Sequence, residues 1–457
     1  MAILEHEAAS PPKRRRIGPG MMAVIGMLAT AAAFAALLAI GSVMGARQLA
    51  AEIAKIRAAG EPVTPDDLEA FYARPPKDRD ATELWLAALA ELDSPAYQSD
   101  AKSLPGVGEG GEIPPPGEPW PQLDAAETFL AKYREPSEKM HQACDLGGAA
   151  RYPTKFSDGI AMQLFQVQGL RRAARHLQLE AAVHGQRNDP RAAAQAVRAM
   201  FAAAHSLEQE PLAISQFLRI ALNGVACAEI ERLLAAVELS DSDLVAFDRD
   251  LRAIDYEAGF RRVLLAERAI GIWLFSTLSG PDTTAALRWS PFRNADEAAY
   301  LMLMEKFVAA SRSTQLPLRV AISQTDLDVA AVLQSSSASW RYPVTKLMTP
   351  SFKPHADAAC HAQAVQCTTR AGIAVERYRR IHGALPRSLD ELVPDFLAEP
   401  LQDPFDGAPL RYRTDATGCK VYSVGPDCLD QDGASGADGQ PLDVVFEVKS
   451  KADEISP

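Results

Sequence analysis

Residues 21–45 read MMAVIGMLATAAAFAALLAIGSVMG, 25 consecutive residues without an ionisable side chain, and nothing else in the chain restricts its fate as much. Wound as a helix at about 1.5 Å per residue, the run is long enough to cross a hydrocarbon layer roughly 30 Å thick with room to tilt. A cleaved signal peptide carries a shorter apolar core, about 7 to 15 residues, followed by small residues at the cut. Here the run is longer, and Met44 spoils the pair of small residues that would direct a cut after Ala46. The sequence therefore predicts an uncleaved transmembrane helix over 21–45. Lys13, Arg14, Arg15 and Arg16 precede it densely, whereas Arg47, Lys55 and Arg57 follow sparsely and share their stretch with Glu52. The denser cluster stays cytoplasmic, which makes 1–20 a cytoplasmic tail and leaves everything beyond 46 outside. Reading the PPKRRRIG tract as a nuclear import patch is the weaker alternative beside an apolar run this close.

The rest of the chain has globular composition, 47% hydrophobic and 23% charged, with only 7% aromatic residues and abundant alanine. That balance favours close-packed helices over sheet sandwiches. The formal net charge of -12 argues against a nucleic-acid partner, whose phosphates need a positive surface. Membrane-proximal helices are expected over 46–102, one opened by Thr64 with Pro65, Asp66 and Asp67, another over 81–92. A Gly/Pro-rich loop follows at 103–122. Its Gly106, Gly108, Gly110 and Gly111 have no strand before them and prolines after, so they do not read as a phosphate cradle.

Apolar residues then recur at spacings of three and four through a helical domain at 123–350. The clearest helices are 157–185, 190–207, 211–236, 241–254, 257–279 and 294–312. The pair joined by HGQRNDP is similar to one tetratricopeptide unit, but no period repeats it. Polar side chains inside these helices are the candidates for a site. Gln216, Arg219 and Asn223 share one helix face, and Glu267 with Arg268 interrupts a strongly apolar run. Because a buried charge is costly unless paired, Arg219 and Glu267 are the expected interhelical pair. It reads either as a structural pair or as the wall of a ligand groove.

No catalytic constellation emerges. His6, His141, His176, His184, His205, His355, His361 and His382 are dispersed with no tight metal pair, and GxSxG, a phosphate loop and CxxC are absent. Ser99 and Lys102 match a bare SxxK without companion motifs. No catalytic residue or certain cofactor is assigned, and a non-enzymatic role is the expectation.

The last hundred residues are the most patterned. Pro354 opens a helix to about His382, stopped by Gly383, on which Cys360, Ala364, Cys367, Ala371, Ala374, Tyr378 and Ile381 form one stripe. Cys360 and Cys367 lie about 10.5 Å apart along that axis, too far to bridge. Ser388 and Glu391 read as the capping box of a short helix, a turn follows at Asp406 and Gly407, and three short strands close an antiparallel sheet.

VERYRRIHGALPRSLDELVP, then DPFDGAPLRYR, YSVGPD and an acidic loop ending in LDVVF, resembles the globular C-terminal part of the major pseudopilin of type II secretion systems. The resemblance covers about 90 residues and implies a pseudopilin-like α+β module at 354–457, one long helix against a three-stranded antiparallel sheet. It also implies calcium in the loop before the last strand. Here that loop holds Asp427, Asp430, Asp432, Asp438 and Asp443 without a basic residue. Asp427 and Asp443 match by family position, and the other three are argued from charge. Hard oxygen ligands in a Gly-containing loop suit Ca²⁺, though the spacing is not an EF-hand. A solvated loop without metal is the competing reading. Cys428 stands where the family has glycine. On an oxidising exterior, Cys419 and Cys428 are a candidate local disulfide if their Cα atoms approach within about 7 Å. Pseudopilins run their apolar helix straight into the head, whereas about 300 residues intervene here, so a reused fold is expected rather than a fibre subunit.

The expected fold class is mainly α: a transmembrane helix, an irregular helical array and the small α+β module. The expected location is a bacterial inner membrane, single-pass, with the bulk periplasmic. The favoured role is a membrane-anchored scaffold or interaction protein with an unknown envelope partner. The alternatives are a periplasmic hydrolase or ligand-binding protein using a groove in the helical domain, and a secretion-apparatus component.

Overall fold

A computed structural model describes residues 18–278, 292–335, 341–435 and 442–449. The basic cluster at 13–16 and Asp438 lie outside the described residues. In chain order the helices are α1 (Pro19–Ala58), α2 (Pro65–Phe71), α3 (Thr82–Leu92), α4 (Pro95–Ala101), α5 (Leu123–Lys132), α6 (Arg134–Asp145), α7 (Phe165–Gln186) and α8 (Pro190–His205). They continue as α9 (Ala213–Ala236), α10 (Asp241–Arg252), α11 (Tyr256–Thr277), α12 (Arg293–Ser311), α13 (Leu318–Gln334), α14 (Pro343–Met348) and α15 (Lys353–His382). Three strands, β1 (Arg411–Asp415), β2 (Gly418–Ser423) and β3 (Val444–Lys449), form one antiparallel sheet in sequence order. The fold is mainly helical, as its composition predicts.

α1 is one 40-residue helix with two environments. Its most apolar window has a mean hydropathy of 2.4 and no buried residue, which makes it long and apolar enough to span a membrane. From Gly45 onward the same helix enters the body. A Cβ on Gly45 would stand 2.8 Å from the Ala295 nitrogen, so only glycine admits this approach of α1 to α12. Leu49, Ile53 and Ile56 continue the contact within one apolar cluster with Leu301, Met304 and Phe307. No proline or glycine interrupts 46–58, so the helix runs beyond the predicted span until Gly60, whose φ of +69° ends it.

α9 passes the same length and hydropathy test, but 56% of its apolar window is buried in the body, as expected of a core helix. It packs on α7 and α8, whose shared turn is capped by Asp189 accepting from the Ala192 nitrogen. Ala193, Ala196, Ala199 and Ala203 are buried on α8 and leave little side chain between the axes. A structural difference from expectation lies at 156–164. Helix does not begin at 157, because Gly159 turns at φ +55° beneath the Trp273 ring, and α7 starts only at Phe165.

The C-terminal module is not a separate body. α15 lies between the sheet on one side and α9, α10, α11 and α13 on the others. Ile373, Val421 and Phe446 consequently belong to the same apolar cluster as Trp85, Leu222 and Leu251. The Glu447 nitrogen donates to Glu231 on α9 at 3.0 Å and fastens β3 to the helical array. Being covered on several sides, α15 buries Thr368, Thr369 and Val375 in addition to the predicted stripe, which ends before the exposed Ile381. The predicted capping box also takes another form. Ser388 makes no side-chain cap, and Glu391 instead accepts from the Arg387 nitrogen and the Tyr378 hydroxyl.

Candidate functional site

The four described aspartates of the β2–β3 connection meet different partners. Asp427 accepts from the Leu429 nitrogen at 3.0 Å and the Gln431 amide at 2.8 Å, and these bonds hold its carboxyl below the usual range. Asp430 accepts from the Tyr422 hydroxyl and the Asp432 nitrogen, and Asp432 pairs with Arg413 at 2.8 Å. Asp443 is 4% exposed; its Oδ2 accepts from the Gly433 nitrogen at 2.8 Å and the Gln431 nitrogen also lies toward its carboxylate, while its buried Oδ1 makes no well-formed bond. Burial first, then the charges of Asp430 and Asp427, raises its carboxyl pKa. Among the described residues no three His, Cys, Asp or Glu side chains converge as a metal-holding group. What fits an oxygen-seeking cation is narrower than the predicted set: the free Oδ1 of Asp443 and the equally buried, unpartnered Oε1 of Gln431.

Asp403 shows what a saturated acid looks like in the same module. It is fully buried and accepts from the Phe405 and Val424 nitrogens, the Ser423 hydroxyl and Arg411. It ties the DPFDG turn to β2. The turn is legible in the sequence, but the acid's role is not, because its Ser423 and Val424 partners lie about 20 residues away.

Cys419 and Cys428 are both free thiols here. Cys419 opens β2, buried between Thr414 of β1 and Val448 of β3. Cys428 lies beyond the other end of that strand, exposed, at φ +56°, with its Sγ 3.8 Å from Arg319 and 3.9 Å from the Phe405 carbonyl. Nine residues in sequence span a strand rather than a hairpin, so the two thiols face different neighbours.

The predicted Arg219–Glu267 pair does not form. The buried cation of α11 is Arg268, which bonds Glu305 at 2.9 Å and Glu61 at the end of α1. Glu267 is half-buried without an ion-pair partner among the described residues, and burial alone raises its pKa. Successive helix positions point about 100° apart, so the sequence could not tell which of the two adjacent charges faces inward.

Arg219 faces elsewhere. α6, α8, α9 and α10 enclose a cavity of about 430 Å³ lined by Arg198, His205, Arg219, Asn223, Arg249 and Asp250. The polar stripe read from α9 is buried as a unit, but its satisfaction falls along the helix. Gln216 donates to the Leu207 and Glu210 carbonyls, each at 2.8 Å. Arg219 reaches the Asp255 carbonyl at 3.2 Å, the Gln216 oxygen at 3.4 Å and Glu208 at 3.7 Å. The Nδ2 of Asn223, in a side chain 2% exposed, lies toward the Tyr256 hydroxyl but makes no well-formed hydrogen bond.

No protein-family model, curated protein or solved structure matches the chain. The chemistry of the cavity is therefore argued from its own residues. Asp250 divides its oxygens between Arg198 at 3.1 Å and Arg249 at 2.9 Å. Glu208 stands 3.1 Å from His205. Burial pushes the Arg219 guanidinium below its ordinary pKa, but an arginine in a protein remains a cation. The wall thus presents guanidinium and amide donors, a pattern that binds oxygen acceptors.

Proposed function

We propose that the chain is a single-pass membrane protein that holds its helical body and C-terminal module outside the bilayer as a scaffold for another envelope protein. The observation that carries this reading is the continuity of α1, apolar and unburied over its first half and embedded against α12 over its second. A removable signal has no need to be built into the core it delivers. In the fuller reading the membrane is a bacterial inner membrane, the tail at 1–20 is cytoplasmic and the rest is periplasmic. Resistance of the full chain to carbonate extraction, with protease reaching the body only from the periplasmic side, is the expected result. A mature chain beginning after Ala46 overturns it. Crosslinking from membranes followed by mass spectrometry then identifies the partner, and recovery of secretion proteins favours the secretion-apparatus alternative.

A second reading concerns calcium and is favoured by the unpartnered oxygens of Asp443 and Gln431. Asp443 and Gln431, with Asp427 alongside, would hold Ca²⁺, which when bound neutralises the acidic loop against the sheet. Calorimetric titration of the full chain with Ca²⁺ tests it. Absence of both heat and thermal stabilisation removes the metal from the account.

A further inference from the structure

We infer that the cavity between α6, α8, α9 and α10 binds the carboxylate or phosphate group of a small anionic molecule, held by donors from Asn223 and Arg219. Nothing in the scaffold reading requires such a site, and the inference stands apart from it.

Asn223 is the first donor of the cavity wall. A buried amide carries two N–H donors and is costly to leave unmade; the Tyr256 hydroxyl lies toward Asn223 without a well-formed bond, so this side chain, 2% exposed, has donor capacity left for another oxygen. Four residues earlier on the same face, Arg219 offers a planar fork whose protein contacts are long: two neutral oxygens at 3.2 and 3.4 Å and a carboxylate at 3.7 Å. A guanidinium with that little competition is available to an oxyanion, which it binds with two parallel bonds at closer range. Around the pair, Arg198 and Arg249 share a single carboxylate, Asp250. Asp145, the other acid of the lining, lies at the exposed end of α6. The inner wall is accordingly donor-rich, and the acid at its mouth disfavours large polyanions. A volume of about 430 Å³ suits a metabolite-sized molecule. Phe201 and Cys144 give it an apolar side to bury. The walls come from helices packed into the main core, so the donors are held in place before binding.

The test is calorimetric titration of the full-length chain in detergent with inorganic phosphate and, separately, with succinate. Saturable binding of at least one probe is expected, and the arm that responds distinguishes phosphate from carboxylate chemistry. Asn223→Asp, which keeps the shape and replaces donors by a repelling charge, is expected to weaken binding at least about tenfold. If that variant unfolds, Asn223→Leu takes its place, with Arg249→Gln at the exposed rim as a milder second substitution. Failure of both probes to bind at about 10 mM, or affinity unchanged in the Asn223 variants, overturns the inference.

Discussion

Arg268 and Arg219 are both buried cations on long helices, and the protein treats them in opposite ways. Around Arg268, Glu61 and Glu305 arrive from α1's end and from α12, and Arg312 adds a second cation to Glu61. That charge joins the end of the long apolar helix α1 to the body. Around Arg219 the nearest oxygens are long, and the amide nitrogen four residues on makes no well-formed bond, with only the Tyr256 hydroxyl toward it. A guanidinium Nε without an acceptor occurs at both residues, so it does not separate them; Asn223 does. The lesson is that burial alone does not define a site. Arg268, with close carboxylate partners, serves the fold; Asn223, without a well-formed bond, lines a cavity.

The largest expected effect comes from breaking the saturated side. Arg268→Met takes one of two cations from Glu61, which keeps Arg312, and the partner of the half-exposed Glu305; removal of one partner from a buried pair costs up to about 3–5 kcal/mol. Thermal unfolding in detergent should fall accordingly, and α1 should become more accessible to protease at 45–58.

The next effect is a pH dependence. Burial raises Glu210 to a pKa of about 7, with Gln166 donating to it at 2.7 Å. The folded state then holds the proton more tightly than the unfolded state, whose carboxyl titrates near 4.5. Stability from this group is complete below pH 4.5 and is lost as pH rises to about 7 and beyond. Glu231, at the α9–β3 junction, is likewise raised to about 7 by burial and acts in the same window. Glu210→Gln should remove its share, raising stability at pH 8 by up to about 3 kcal/mol while leaving pH 4 nearly unchanged. Equilibrium unfolding at the two pH values checks the sign.

Smaller effects sharpen the unsaturated side. Asn223→Leu deletes a poorly bonded donor at nearly constant volume, so stability without ligand should stay level or rise by about 1 kcal/mol. Asp443→Asn should change stability by about 1 kcal/mol or less and abolish any Ca²⁺-dependent thermal shift.

The sequence reading was strongest where a residue's role depends on its neighbours along the chain. The long apolar helix α1, the Thr64 cap, the helical array and the three strands all follow from periodicity and local chemistry. The stripe of Gln216, Arg219 and Asn223 was legible as a face for the same reason. What that face meets was not, because adjacent charges such as Glu267 and Arg268 differ only in rotation about the helix. The loop acids were legible as a cluster, yet Asp432 turns to Arg413 through strand register, and Asp403 is saturated by groups up to 21 residues away. The union of body and module was hidden as well, since nothing local in α15 announces that it is covered on several sides.

The most direct test of the contrast is one set of thermal-unfolding curves on the full-length chain in detergent: the unsubstituted protein, Arg268→Met and Asn223→Leu, each with and without whichever of phosphate or succinate binds. The account predicts that Arg268→Met melts lower yet keeps the ligand-induced rise, whereas Asn223→Leu melts as before and loses that rise. A ligand response that survives Asn223→Leu, or disappears with Arg268→Met while the protein remains folded, would contradict it.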